Sequence, residues 1–559
     1  MGDAVNAVPL RREAMLEALR ADHEPFDLLV IGGGASGTGV ALDAVSRGLS
    51  VALIERFDLA SGTSSRSTKL IHGGVRYLEK AVKHFDRSQF ALVRDALRER
   101  AVLIRNAPHL CHPLPLVTPL YNWLEVPYFM TGLKLYDALA GRENLAKSRF
   151  VDAREAKRRF PQLREEGLRG GVVYYDGQFD DARMNLALAI SAAERGAIIA
   201  THTNVTALHE EGGRLVGATV EDTFDGGPFE VRARVVVNAA GPYVDEVRTL
   251  ADAGARPMLS ASSGVHIVLD ARFSPPDTGL LIPQTEDGRV LFLLPWQGST
   301  LVGTTDVPAA VTPDPRATED EIEYVLRHVR QYFSTPVERS DVKASWSGLR
   351  PLVSDPDASD TAKLSRDHVV HVDDVGLVTI AGGKWTTYRV MAADTVDVAV
   401  ATGALSPTGP SATRDLRLAG ASGFDPTAAG ALQERGFDAD VASHLHLSYG
   451  DRVWTVAAIA ESGFGERLAP HYPYLEAEVV FGAREELVAT SADVLLRRTR
   501  LGTLDAAAAR AALPRVHQLL AEELEWASPR RTRDLADAGA ALDAADANPG
   551  SVRAPSAAA

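Results

Sequence analysis

The run Phe26-Asp-Leu-Leu-Val-Ile31 leads into Gly32-Gly-Gly34-Ala-Ser36-Gly37-Thr-Gly39. A helix-compatible stretch begins at Val40, and a second apolar run, Val51-Ala-Leu-Ile54, ends on Glu55. The pattern reads strand, turn, helix, strand, and a right-handed crossover of this length returns the chain parallel to its first strand. In Gly32-x-Gly34-x-x-Gly37 the first glycine makes the tight turn, the second admits a pyrophosphate, and the third lets helix and strand pack closely. Phosphate charge would face the helix N-terminus, where Ser36 stands, and its free N–H groups. Glu55 is placed to accept hydrogen bonds from ribose hydroxyls and disfavours a 2′-phosphate there. A lone glycine triad could be an ordinary turn; the strands, helix and terminal acid around this one point to a dinucleotide site.

The remaining composition bounds the class. A chain of 559 residues is several times the ~150-residue prior for one domain, so two or three cooperating domains are expected. Hydrophobic residues make up 45% and charged residues 24%, which is a folded globular balance. The net charge of −15 argues against general nucleic-acid binding, which needs cations to displace condensed counterions. The one cysteine, Cys111, excludes an internal disulfide and a Cys-rich metal site and fits a reducing compartment. Met1 to Pro25 carries scattered charges and no uninterrupted apolar core, so no secretory signal is expected. No apolar stretch reaches the ~18 residues that span a bilayer, so membrane contact would be peripheral.

Along the chain, spacing of apolar residues from Tyr77 to about Ala107 suits a long amphipathic helix that Pro108 stops. Short β-rich runs come next at Gly171–Tyr175, Arg234–Asn238, Val265–Asp270, Val290–Leu294 and Thr300–Gly303. They alternate with helical stretches, as in an α+β substrate domain interleaved with a nucleotide-binding one. The expected fold class is therefore α/β plus α+β: a discontinuous Rossmann-like domain and a β-rich cap over 26–400, then a linker at 401–425. A helical C-terminal domain is expected over 426–526, and low complexity without aromatics predicts a disordered tail over 527–559.

Other segments refine the ligand. Ser61-Gly-Thr63-Ser64-Ser65-Arg-Ser67-Thr-Lys69-Leu-Ile-His72-Gly73-Gly-Val-Arg76-Tyr77 is a polar loop able to wrap a larger cofactor. Val235 to Asn238 is a strand that runs into Ala239-Ala-Gly241-Pro242, small enough for close backbone approach. Gly382-Gly383-Lys384-Trp385-Thr386-Thr387-Tyr388 precedes a helix whose N-terminal dipole could face a reduced flavin. Fifteen histidines invite a metal search, but His444-Leu-His446 has the wrong helical spacing, and no metal site is expected.

With Ile31–Gly39, Thr63–Leu78, Gly303–Asp306, Ser347–Pro351, Gly382–Tyr388 and Leu496–Arg500 in this order, the chain resembles the FAD-dependent glycerol-3-phosphate dehydrogenase family. That family lies within the D-amino-acid-oxidase-like flavoproteins, and the resemblance covers roughly residues 25–525. It implies FAD as cofactor and oxidation of sn-glycerol 3-phosphate at C2 to dihydroxyacetone phosphate. Hydride would pass to the flavin and electrons to a membrane quinone. Oxygen as acceptor, or a flavin-binding regulatory protein without turnover, are the alternatives. A homodimer in the cytoplasm, docked peripherally on the inner face of the membrane, is the expected setting.

Such a reaction needs cations for a phosphate dianion, a base for the hydroxyl proton and a positioned flavin. Arg350, Arg366 and Arg76 are the phosphate candidates, because a guanidinium makes two charge-assisted bonds to phosphate oxygens; structural ion pairs are the alternative reading. His266, whose position matches a pocket histidine of the family, is the candidate base, with Tyr77 near the substrate and His72 near the flavin; the residues themselves do not choose among them. Lys384 is assigned to flavin or substrate oxygens. Gly32, Gly34, Ser36, Gly37, Glu55, Thr63, Ser64, Ser65, Ser67, Lys69, His72, Gly73, Gly241, Gly383, Lys384 and Thr386 are the cofactor set. The aromatics of Trp123–Tyr136 suggest membrane docking, or else core packing or a dimer contact.

Overall fold

The computed structural model describes residues 8–74, 87–224, 226–353 and 368–546. Arg76, Tyr77 and Arg366, and the first part of the helix expected from Tyr77, lie outside the described residues; that helix is seen as Arg87–Asn106.

Two sheets organise the described residues. The first runs in the order His368–Val372, Val378–Gly382, Pro228–Asn238, Phe26–Ile31, Val51–Ile54, Ile198–Ala200. Its central pairs are parallel, with Leu28 opposite both Val51 and Val235. Because these strands are covered on both faces they carry apolar residues continuously: Leu28, Leu29 and Val30 are wholly buried. The chain leaves Phe26–Ile31 on one side toward Val51–Ile54, while Pro228–Asn238 flanks it on the other. The carboxyl ends of these two central strands are therefore the switch point at which an open α/β sheet leaves a crevice.

The second sheet is mostly antiparallel and forms the cap. Its longest pairing joins Leu259–Asp270 to Val342–Val353, with His266 opposite Trp346, Gly264 opposite Gly348 and Ser262 opposite Arg350. The helix Glu319–Tyr332 covers one face with Ile322, Val325, Leu326 and Val329. The segment read as a membrane or packing element is the helix Glu125–Ala140. It buries Leu133, Tyr136 and Ala140 and leaves Trp123, Leu124 and Tyr128 at 59%, 79% and 49% exposure.

Between 404 and 427 the chain has little regular structure but is packed, with Leu405, Leu418 and Ala421 buried. Helices fill most of the chain from 428 onward, and one corrects the expected disordered tail: Ser528–Ala545 is an 18-residue helix. Its apolar residues are few, but small side chains let it lie close. Ala538 and Leu542 enter the core under the helix Ala506–Glu523, and the Asp534 carboxylate accepts from Ser491 N and Oγ at 2.9 and 2.5 Å. A sequence window sees only the scarcity of large residues, not this fit. Leu542→Ala should accordingly cost ~2–5 kcal/mol of stability in denaturant titration, the range for a buried leucine; an unchanged midpoint would return the segment to a loose tail.

Candidate active site

The glycine loop sits at the switch point. Gly32 has φ +113°, and a Cβ there would stand 2.5 Å from the Ala239 carbonyl oxygen. A Cβ on Gly37 would stand 1.8 Å from the Gly32 carbonyl oxygen, so only glycine allows helix Ala35–Ser46 to rest on the turn. No side chain caps this helix at Gly34, and Gly34, Ala35 and Ser36 line a cavity of about 2660 Å³. That exceeds the ~300–1,000 Å³ of a drug-sized pocket and suits an extended ligand. Glu55 takes Gly33 N–H at 2.6 Å and Phe57 N–H at 2.8 Å, tying the second strand to the glycine turn while lining the cavity. Burial pushes its carboxyl up, against the pull of those two N–H groups.

Residues 61–68 form one wall. Ser64 accepts Ala35 N–H at its hydroxyl (2.9 Å) and the Trp385 indole N–H at its carbonyl (2.8 Å), so this loop touches both the first helix and the Gly382–Thr386 turn. Thr63 donates to Leu349 O at 2.6 Å, which lays the loop on the cap sheet. His72, Gly241, Gly382, Gly383, Lys384 and Thr386 line the same cavity. Gly241 has φ +59° and open space where a Cβ would project. An extended flavin nucleotide fits this set: a helix whose first residues line the cavity, an acid at the end of the second strand, and Gly32, Gly34, Gly241, Gly382 and Gly383 along the wall.

Three residues of the cofactor set do not line the cavity: Lys69, Gly73 and Gly37. Lys69 is fully buried behind the loop, donating to Ser65 O and to Asp181 Oδ2 at 2.7 Å each, over the Trp346 ring at 4.7 Å. Burial, only partly offset by Asp181, brings its ammonium down to about 7. Gly73 also lies off the cavity, because Leu97 and the Tyr136 hydroxyl occupy the space a Cβ would need. Gly37 likewise acts by packing rather than by contact.

On the cap side, His266 and Arg350 share one face of the paired strands. His266 stacks on Trp346 with ring centroids 4.2 Å apart, and its Nε2 lies 3.0 Å from Thr68 Oγ1. Burial, then the Lys69 and Arg350 cations, hold the imidazole well below its ordinary range, so it is neutral. Arg350 is held by Ser263 O, Asp306 Oδ1, Thr304 Oγ1 and Thr305 O at 3.0–3.4 Å and still forms part of the cavity wall. Its guanidinium occupies the space over Gly264: a Cβ there would stand 2.3 Å from Nη2. Gly264 and Gly348 thus leave a slot in the strand face beside the His266–Trp346 stack, which the arginine and the Arg66 backbone fill.

Sequence reading missed several residues. Thr68 and Trp346 frame His266, and His202, Asn204, Val205 and Phe224 line the cavity beyond Glu55. Asp58 and Arg497, on the cavity wall, and Asp181 and Arg498, behind it, hold the loop. The available signal was cations in an apolar run, Val494-Leu-Leu-Arg-Arg498, since buried charge must be paired. Gly37→Ala should weaken FAD binding by about tenfold or more, because overpacking costs ~1–3 kcal/mol and the clash is with backbone. Equilibrium titration of the apoprotein with FAD, read by flavin fluorescence, measures it; wild-type affinity would contradict the packing role.

Comparisons with known proteins agree with this geometry. A family profile described as FAD dependent oxidoreductase matches residues 27–389, and one described as the C-terminal domain of alpha-glycerophosphate oxidase matches 411–531. A mitochondrial glycerol-3-phosphate dehydrogenase of Arabidopsis thaliana is 48% identical over 96% of this chain and 89% of its own length. That of Mus musculus is 49% identical over 95% of this chain and 75% of its own length. The crystal structure of a Bacillus halodurans glycerol-3-phosphate dehydrogenase complexed with FAD superposes with a TM-score of 0.79 at 31% identity, covering 97% and 99% of the two chains. The chain therefore belongs to the FAD-dependent glycerol-3-phosphate dehydrogenase family, an enzyme family of the FAD-dependent oxidoreductases.

Proposed function

We propose that this enzyme oxidises sn-glycerol 3-phosphate at C2 to dihydroxyacetone phosphate and passes the electrons to a membrane quinone. The observation that carries the reading is a fixed guanidinium and a neutral imidazole on one strand face, Arg350 and His266, both lining the cavity. Bound in the cavity, FAD supplies the two-electron acceptor for the C2 hydrogen.

The residues of the chain do the rest. Arg350 faces the cavity as a cation whose position is set by two backbone carbonyls and the Thr304 hydroxyl. Asp306 Oδ1 pairs with it at 3.4 Å. A phosphate dianion is the ligand that such a fork recognises. Lys384, on the Gly382–Thr386 turn of the same wall, is a second cation for substrate oxygens. His266 accepts the C2 hydroxyl proton; burial and the Lys69 and Arg350 cations keep its imidazole unprotonated but also weaken it as a base, an effect that a phosphate dianion at Arg350 opposes. Thr68, at Nε2, fixes the ring. Arg76, Tyr77 and Arg366 complete the proposed set from outside the described residues.

A quinone acceptor is supported by the exposed Trp123 and Leu124, just before the helix Glu125–Ala140, and Tyr128 on it; the helix residues Tyr128, Phe129 and Leu133 also line the cavity. No helix among the described residues is long and apolar enough to cross a membrane, so docking would be peripheral. The profile matching 411–531 carries the name of an oxidase, which keeps oxygen as the second reading. Reduction of a quinone analogue in lipid vesicles, set against peroxide formed in air, separates the two: peroxide as the main product would displace the quinone.

Steady-state kinetics test the slot. Arg350→Ala should raise KM for sn-glycerol 3-phosphate by roughly 10–100-fold with FAD still bound, as expected when a ~1.5–3 kcal/mol charged hydrogen bond is lost. Gly264→Ala should raise KM in the same direction by pushing the flexible guanidinium aside. An unchanged KM in both removes Arg350 from the substrate. Because His266 is held neutral, kcat/KM should show no acidic limb near the ~6.5 of free imidazole; a limb there that disappears in His266→Gln would contradict the assignment.

A further inference from the structure

The segment from Glu55 to Lys69 leaves the second strand, forms a wall of the FAD cavity and returns along the cap sheet. What holds it from behind comes from the C-terminal domain. Asp58, fully buried, receives Arg498 Nη1 and Nη2 at 2.7 and 3.0 Å, and Arg497 Nε as well. Further along, the Ser65 carbonyl receives Arg500 Nη2 at 2.8 Å, and the same nitrogen reaches Asp181 Oδ1 at 3.1 Å. Among the described residues, every cation paired with Asp58 belongs to the short stretch 494–500.

That stretch is rigidly based. Arg498 also donates to Glu486 O at 2.8 Å, and Arg497 to Asp493 at 2.7 Å. Asp493 in turn accepts Ala489 N–H and Thr490 N–H at 3.0 and 2.9 Å. Separating the two domains would strip Asp58 of both its cations while the arginines kept only their partners within the C-terminal domain. Such contacts break as a unit rather than one by one. Arg498 and Arg500 do not line the cavity; they reach FAD only through the segment they pin.

We propose that the C-terminal helical domain is the latch that retains FAD, with Arg498 and Arg500 as positioning residues that keep the 55–69 segment closed over the nucleotide. The cofactor leaves when this segment lifts, and the segment lifts when the bidentate Arg498–Asp58 pair and the Arg500–Ser65 contact release. The rate of FAD loss is therefore governed by Arg498 and Arg500, neither of which lines the cavity.

The test uses the holoenzyme. Arg498→Lys and Arg500→Lys keep the charge but lose the planar fork. FAD release is followed as recovery of flavin fluorescence after dilution, beside far-UV circular dichroism and substrate KM. Arg515→Gln is the control, since Arg515 forms a bidentate pair with Glu476 in the same domain at 2.6 and 2.7 Å, on the domain's outer side. Each lysine variant should release FAD at least about tenfold faster with wild-type KM, because weakening a buried hydrogen-bonded charge pair acts on dissociation. Arg515→Gln should release it at the wild-type rate. Asp58→Asn should add little to Arg498→Lys if the two act through one contact. Wild-type release from both lysine variants, or equal acceleration by Arg515→Gln, would overturn the latch.

Discussion

One carboxylate, that of Asp181, joins the parts of this molecule that must not move apart. Fully buried at the start of the helix Asp181–Ala193, it accepts from Ser67 N and Oγ, from Lys69 Nζ and from Arg500 Nη2. The loop that walls the cofactor, the nucleotide domain and the C-terminal domain thus meet on two oxygens. Beyond it the Lys69 ammonium lies over Trp346, and Trp346 stacks on His266, so the same charge cluster reaches the cap and the proposed chemical step. Removing one member would leave the others buried and unpaired, which is why such a cluster fixes an arrangement more than it adds net stability.

The placement of the slot depends on that anchoring. Arg66 O would stand 2.8 Å from a Cβ on Gly348, so the wall loop lies directly on the glycine of the cap strand. Cofactor wall and substrate floor are in contact and share one alignment. Arg350 and His266 stand on one strand face, because Arg350 pairs with Ser262 and Trp346 with His266. Tyr128, half exposed, and Phe129 of the helix Glu125–Ala140 also line this cavity.

What the sequence revealed was local. Gly32, Gly34, Gly37 and Glu55 declare themselves because each answers a constraint set by its immediate neighbours, and the parallel sheet results from the crossover between them. His266 and Arg350 emerged through resemblance, and the strand pairing that puts them on one face is a long-range fact. Lys69 was misplaced for the same reason. In a polar run it looks like a phosphate ligand, yet its φ of +61° and its partner Asp181 turn it away from the cavity. The helix Ser528–Ala545 was illegible because small residues pack by closeness, which composition does not register.

The central claim is that one pocket holds a flavin and a phosphate-bearing alcohol within reach of each other. Anaerobic titration of the yellow holoenzyme, comparing sn-glycerol 3-phosphate with glycerol, tests it most directly. The account predicts that the flavin absorbance bleaches with the phosphate ester and stays unchanged with glycerol at equal concentration. Equal bleaching by both would remove the guanidinium from recognition, and bleaching by neither would contradict the account.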